Sequence, residues 1–422
     1  MILFPIISLI LVSHLTRLIT KSWISPGAFF CMCWSFFLII PIIFASGYKI
    51  DLFTIWFISI FSMSLATGAI IAHPLNSIKS NNNLSFVSQT NTKFLYYVLI
   101  LISLISFLGI YLLIRFSTIT YLSENYINEW MMIPNMIAVD RYAGILNYPF
   151  YIKYSLYFIY PGNLLAGLLF ADNNLSFKKK ILLSSPLIAA IILGIIEGSR
   201  TSILLGIILF GSAWMSTSMY KNNQAVTRKG SYLKFAFGIG ISLLLFTISF
   251  IFIQWLRQGM DGIIFDLLID RIRAYFFGYL AAFSKWLVSS NPEISFYPGF
   301  VTFAGPFNLL GIMERPLGFY SPINITTDIS TNIFTAFRGI VSDFSIPGSI
   351  LIAFIIGFIS QSIFQDKSKS NLFNIVPISM FYAFTLYSPL ISIFHYNSIL
   401  FSWLILYIIL ILAKNESVDN YC

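Results

Sequence analysis

The stretch Glu197-Gly198-Ser199-Arg200 sets a carboxylate and a guanidinium three residues apart, between two long apolar runs. Two readings stand at this point: a local Glu–Arg pair that caps two helix ends, or an anion clamp at the membrane surface. A second concentration of chemistry lies between residues 255 and 345, where Arg257, Arg271, Arg273, Arg315 and Arg338 accompany a single lysine, Lys285. The guanidinium fork matches phosphate bidentately and keeps its charge at any working pH, whereas an ammonium is only a point charge. An arginine-rich segment on an apolar protein therefore suits a phosphate-bearing ligand that resides in the membrane. Asp266, Asp270 and Asp343 could neutralise several of these cations. His395, in the turn Phe394-His395-Tyr396-Asn397-Ser398, could act as a base or simply sit at an interface.

What is missing narrows the chemistry. No Gly-Lys pair occurs, so a phosphate-cradling Walker loop is absent and ATP hydrolysis is not expected. No two acidic residues fall at D-x-D spacing, so the usual metal-dependent nucleotide-sugar site is not visible. The histidines, His14, His73 and His395, are too few and too scattered for a zinc site, and Cys31, Cys33 and Cys422 lack metal-ligand spacing. Neither a metal nor any other cofactor is expected.

The elements that must position these groups are membrane spans. Apolar residues make up 58% of the 422 residues and charged ones 10%, against about 25% charged in a soluble domain. Many runs approach the roughly 20 apolar residues that cross a bilayer as helix, and strand-period alternation is absent. The expected fold is an all-α polytopic integral membrane protein with about 11–12 transmembrane helices, forming a single membrane domain over residues 1–422. Spans are expected near 2–20, 27–46, 52–72, 94–114, 151–171, 181–197, 201–219, 235–254, 346–364, 372–390 and 397–413. The first reads as an uncleaved span, because its charges, Arg17 and Lys21, follow the apolar run. Tyr160-Pro161-Gly162-Asn163 predicts a kink within the fifth span.

Lysine and arginine in alternate short loops orient the chain. One side collects fourteen basic and four acidic residues, the other eleven basic and twelve acidic, so the formal net charge of +9 divides into +10 and −1. The first side is read as cytoplasmic. Both long connections, 115–150 and the large 255–345, then fall outside, on the periplasmic face. Within the larger one, 274–290 and 299–313 are apolar enough to form re-entrant or interfacial helices; a single crossing there would raise the count to twelve and flip everything downstream.

Two local geometries follow. Residues 181–219 must hold two crossings in 39 residues; at about 1.5 Å per residue and a core of ~30 Å, this leaves no loop beyond residues 197–200. Arg200 then begins the seventh span with its head at the boundary with water, where its cost is below the ~2.5–3.5 kcal/mol of the bilayer centre. In "DISTNIFTAFRGIVSDF", residues 328–344, Ser330, Thr331 and Asn332 are good N-caps for an amphipathic helix whose free amides would face an anion.

These features together resemble the bacterial oligosaccharide repeat-unit polymerases, the Wzy-type O-antigen polymerases. The resemblance rests on "EGSRTSILL" at 197–205, on the large late outer loop, on "RYAGILNYPFYIKY" at 141–154, and on "TNIFTAFRGIVSDFSIPG" at 331–348. The last matches a T-N-x-x-T-x-x-R run followed by an acidic residue and a small one, with Ser345 where glycine is expected. The resemblance implies glycosyl transfer at the periplasmic face of the inner membrane, from one undecaprenyl-pyrophosphate-linked oligosaccharide to another, with no metal. It implies the lipid bilayer as a partner, a chain-length regulator and flippase of the same pathway as further partners, and no nucleic acid. On that reading Arg200 and Arg338 hold the donor pyrophosphate, with Arg257, Arg271, Arg273 and Arg315 as further contacts and Asn332 and Thr335 at the substrate. Asp343, His395 or Glu197 would activate the acceptor hydroxyl, with Asp328 a further acidic candidate.

Two rivals share the composition. An O-antigen ligase uses the same donor and face and passes the glycan to the lipid A core; the 331–348 run favours the polymerase. A flippase or transporter would place charge along a mid-bilayer pathway, whereas here the charges sit at span ends and in outer segments.

Overall fold

The computed structural model describes residues 2–76, 90–121, 132–172, 175–218, 247–256, 265–289, 298–314, 319–366 and 371–414. In chain order the helices are α1 (Leu3–Thr20), α2 (Pro26–Phe44), α3 (Leu52–Asn76), α4 (Thr92–Tyr121), α5 (Ile133–Tyr142), α6 (Phe150–Tyr157), α7 (Ile159–Phe170), α8 (Phe177–Ile196), α9 (Arg200–Ser218), α10 (Thr247–Leu256), α11 (Phe265–Ser289) and α12 (Ala304–Leu309). A two-stranded antiparallel pair, β1 (Ile323–Asn324) and β2 (Ser330–Thr331), follows, then α13 (Ala336–Gln365), α14 (Ile375–Tyr387) and α15 (Asn397–Ala413). Short 3₁₀ turns cover Asn371–Asn374 and Ile393–His395. Among the described residues, α1, α2, α3, α4, α8 and α13 are long and apolar enough to cross a membrane. α10, α14 and α15 are shorter apolar helices.

The chain forms two compact units, each discontinuous in sequence. The first comprises residues 1–82 and 269–397; the second comprises 83–268 and 398–422.

In the first unit an aromatic core ties α2, α3, α11 and α13 together. Trp34 and Phe61 lie 4.6 and 4.7 Å from Phe337, and Phe57 packs on Phe283 at 6.0 Å. All five rings are buried. α3 and α13 approach so closely that a Cβ on Gly68 would strike the Phe354 carbonyl oxygen, and one on Gly357 the Leu65 carbonyl oxygen. Small residues at helix contacts allow such backbone approach where lipid supplies no hydrophobic driving force. The two helices run in the same direction: Phe61 meets Phe337, Ser64 donates to the Ile350 carbonyl at 2.8 Å, and Gly68 faces Phe354 and Phe358. In the eleven-span count these are the third and ninth spans, which share a direction.

In the second unit α7 packs against α9 through Gly167, where a Cβ would collide with the Phe210 carbonyl. The fifth predicted span is broken into α6 and α7 at Phe158. Pro161 explains the position, because a proline disrupts the bond to, and crowds, the carbonyl four residues earlier, here Tyr157. Asn163, fully buried, donates from its amide to the Ile159 and Pro186 carbonyls at 2.8 and 3.2 Å.

Three expectations are corrected. The stretch 115–150 holds the end of α4 and all of α5 rather than loop. α11 begins well before the 274–290 patch, because Asp270, Arg271 and Arg273 interrupt the apolar run without interrupting the helix. The helix expected to be capped by Ser330, Thr331 or Asn332 instead starts at Ala336 with Thr335 as N-cap, since Ser330 and Thr331 are engaged in β2.

Candidate active site

α8 ends at Ile196 with Glu197 as its C-cap. Gly198, at φ 58°, takes the left-handed conformation that glycine tolerates without penalty. Ser199 N donates to the Gly194 carbonyl at 2.8 Å and Gly198 N to the Ile195 carbonyl at 3.2 Å. This is the Schellman pairing, and it satisfies carbonyls that the helix end leaves open. α9 begins at once with Arg200, so residues 197–199 are the entire connection.

Glu197 and Arg200 take different partners. A guanidinium nitrogen of Arg141, on α5, lies 3.2 Å from the Glu197 carboxylate; the two side chains are 23% and 15% exposed. Arg200 donates to the Gln254 side-chain carbonyl on α10 and lies over the Phe250 ring, 4.0 Å from its centre. A local Glu–Arg pair is therefore not what the turn builds. The hydroxyl of Tyr148 is buried beside Arg141 and Glu197 and completes no hydrogen bond of good geometry. α5 is held from its other side, where Tyr121 at the end of α4 donates to Asp140 at 2.6 Å. Burial pushes the Glu197 carboxyl above its ordinary range, while Arg141 and then Tyr148 pull it back towards the charged form. Burial, then the Glu197 charge, raises the Tyr148 hydroxyl.

The first unit carries a second cluster. Near the start of α13 the Arg338 guanidinium lies 4.0, 4.1 and 5.2 Å from the rings of Phe334, Tyr320 and Trp286. Such cation–π contacts are worth about 0.5–2 kcal/mol each, more as water is excluded. No carboxylate pairs with Arg338 among the described residues. The buried hydroxyls of Tyr320 and Thr335 have no described partner. Asn332 is exposed.

Asp343, on the same helix, is 1% exposed, and its two oxygens accept the amides of Val301 and Thr302 at 3.0 and 2.7 Å. It fastens the 298–303 turn to α13. His395 is fully buried, edge-on to Phe319 at 4.7 Å. Arg271 and Arg273 are exposed on α11, and Asp328 is exposed with Thr327 donating to it at 2.8 Å. Arg257 and Arg315 lie outside the described residues. The structure thus joins Glu197 to Arg141 in one unit and sets Arg338 near Thr335 in the other.

Reading the residues singly missed Arg141, Tyr148 and Gln254. Arg141 and Tyr148 both fall within "RYAGILNYPFYIKY", so the signal was present as a motif, without a partner assigned. Among the described residues no three His, Cys, Asp or Glu side chains converge as metal ligands would. Compared with protein-family models, with curated proteins and with solved structures, the chain matches none.

Proposed function

We propose that the chain is a multi-pass inner-membrane glycosyltransferase that polymerises undecaprenyl-pyrophosphate-linked oligosaccharide repeat units at the periplasmic face. The observation that carries this reading is the charge at the α8–α9 turn: two guanidiniums, Arg141 and Arg200, with one partly exposed carboxylate, Glu197, at the end of a hairpin of apolar helices. Charge is costly in such a frame and is kept where a reaction uses it. The leaving group of the proposed transfer is a lipid pyrophosphate. Fixed guanidiniums stabilise the charge that develops on it without reorganising as the bond breaks. The donor carries its own activation in the phosphate ester, which agrees with a sequence lacking a nucleotide-binding loop. Arg338 is a separate candidate for a phosphate contact, on the ground that no described carboxylate neutralises it.

The test is deletion of the gene in the strain that carries it, with lipopolysaccharide resolved on a gel. Core bearing a single repeat unit, with the ladder lost, is the expected result. Bare core with long polymer on the carrier lipid would mean a ligase. Bare core with only lipid-linked single units would mean transport, and the catalytic reading would be abandoned.

A further inference from the structure

Three groups, Asp343, His395 and Glu197, qualify by type to accept a proton, and their surroundings separate them. Both Asp343 oxygens are engaged by backbone amides, and the side chain is 1% exposed. His395 is fully enclosed beside Phe319 and Tyr320. Glu197 alone keeps an accessible face, 15% exposed, at a helix end, with one cation against it and the buried Tyr148 hydroxyl alongside.

We propose that Glu197 is the proton acceptor of the transfer, that Arg141 is the residue positioning its carboxylate, and that the Tyr148 hydroxyl completes the site by hydrogen-bonding the carboxylate or the incoming sugar hydroxyl. This rests on the glycosyl-transfer reading above. The acceptor sugar's O–H bond breaks and its proton passes to Glu197. The freed oxygen forms the new bond to the donor's anomeric carbon. The bond from that carbon to the phosphate oxygen breaks, and its electron pair leaves with the lipid pyrophosphate. Glu197 then returns its proton to water, so no further reagent is needed.

The groups facing Glu197 are Arg141 on α5 and Tyr148 in the segment before α6; Arg200, three residues along, turns instead to Gln254, and Asp140, next to Arg141, is engaged by Tyr121. Arg141 is worth keeping for a definite reason. A carboxylate at a partly buried helix C-terminus is opposed both by lost hydration and by the negative end of the helix dipole. A cation at 3.2 Å opposes both and, although burial still outweighs it, draws the carboxyl back towards the ionised form that can accept a proton.

The experiment uses the full chain in native membranes. An apolar carbodiimide modifies protonated carboxyls, so labelling of the Glu197 peptide, followed by mass spectrometry across pH, reads its titration directly. Polymer output is followed over the same pH range in vesicles supplied with lipid-linked repeat units. The expected labelling midpoint lies above the ordinary glutamate range. R141Q moves it up, Y148F moves it up by less, and R141K leaves it near the wild-type position. The acid limb of polymer output follows the labelling midpoint in each variant, and E197Q loses output at least tenfold at every pH.

A midpoint that R141Q does not move overturns the role of Arg141. Full output from E197Q, in a strain whose ladder disappears on deletion of the gene, overturns Glu197 as proton acceptor while leaving the glycosyl-transfer reading intact. A ladder that survives deletion of the gene sinks that reading instead, and the labelling midpoints still report whether Arg141 sets the charge of Glu197.

Discussion

Glu197 lies 3.2 Å from Arg141, on a helix distant in sequence, while Arg200, three residues along the same turn, is bonded to Gln254. The turn therefore presents its carboxylate and its guanidinium to different neighbours, and each is fixed by an element outside the hairpin. That arrangement keeps the two charges from cancelling locally. It also makes α5 and α10 part of the site, although neither belongs to the α8–α9 hairpin.

Arg200→Lys is the sharpest test of the proposed phosphate contact. The ammonium keeps the charge but loses the planar fork that reaches Gln254 and the flat face that lies over Phe250. Polymer output at matched protein level is expected to fall about tenfold or more, equivalent to about 1.4 kcal/mol of lost transition-state stabilisation. Unchanged ladder length and yield would remove Arg200 from the chemistry.

Asp343→Asn is expected to act on folding rather than on the reaction. The carboxylate accepts two backbone amides from one buried position, and an amide side chain can replace only one of those acceptors while pointing a donor at the other. Leaving a buried donor unpaired costs about 1–3 kcal/mol. Thermal unfolding in detergent should show the loss, and output per folded molecule should be retained. Loss of output by protein that is still fully folded would return Asp343 to the chemistry.

How far the sequence reaches can be seen residue by residue. α2 and α15 are uninterrupted apolar runs, and their limits fall within a few residues of the expected ones. Pro161 announces a kink, and steric conflict with the carbonyl four residues back then fixes the break at Phe158. α11 is harder to read because Asp270, Arg271 and Arg273 hide helical continuity behind polarity. The N-cap at Thr335 could not be separated from Ser330, Thr331 and Asn332 by residue type, as all four side chains can cap; the pairing of β2 with β1 decides it. The Arg141–Glu197 pair was not legible at all, because no local periodicity relates α5 to the end of α8, and only the folded second unit brings them together.

Glu197 also predicts a pH-dependent difference in stability. Burial outweighs Arg141 and holds its carboxyl above the ordinary range, so folding favours the protonated form. The stability this supplies is complete below the ordinary glutamate range and is lost as pH rises through the raised value. Glu197→Gln cannot titrate and lacks that loss. Melting temperatures measured across this window should therefore shift in the variant's favour as pH rises, then run parallel above it. A variant that instead gains ground as pH falls would show that Arg141 has drawn the carboxyl below its ordinary range.

Ser345 offers a prediction independent of the reaction. It sits within α13 at φ 62° and ψ 175°, a combination almost confined to glycine, and it marks the kink between the segment bearing Arg338 and Asp343 and the segment packed along α3. Holding a side chain there costs about 1–3 kcal/mol. The backbone here holds a glycine conformation under a serine side chain. Ser345→Gly should relieve the strain and lose part of that gain to the freer unfolded chain, for a net stabilisation of about 1 kcal/mol. Ser345→Val, branched at Cβ, should be destabilised. A rise in melting temperature for the glycine variant and a fall for the valine variant is the expected pair of results. A glycine variant that melts lower than the wild type would mean that the kink is not at Ser345.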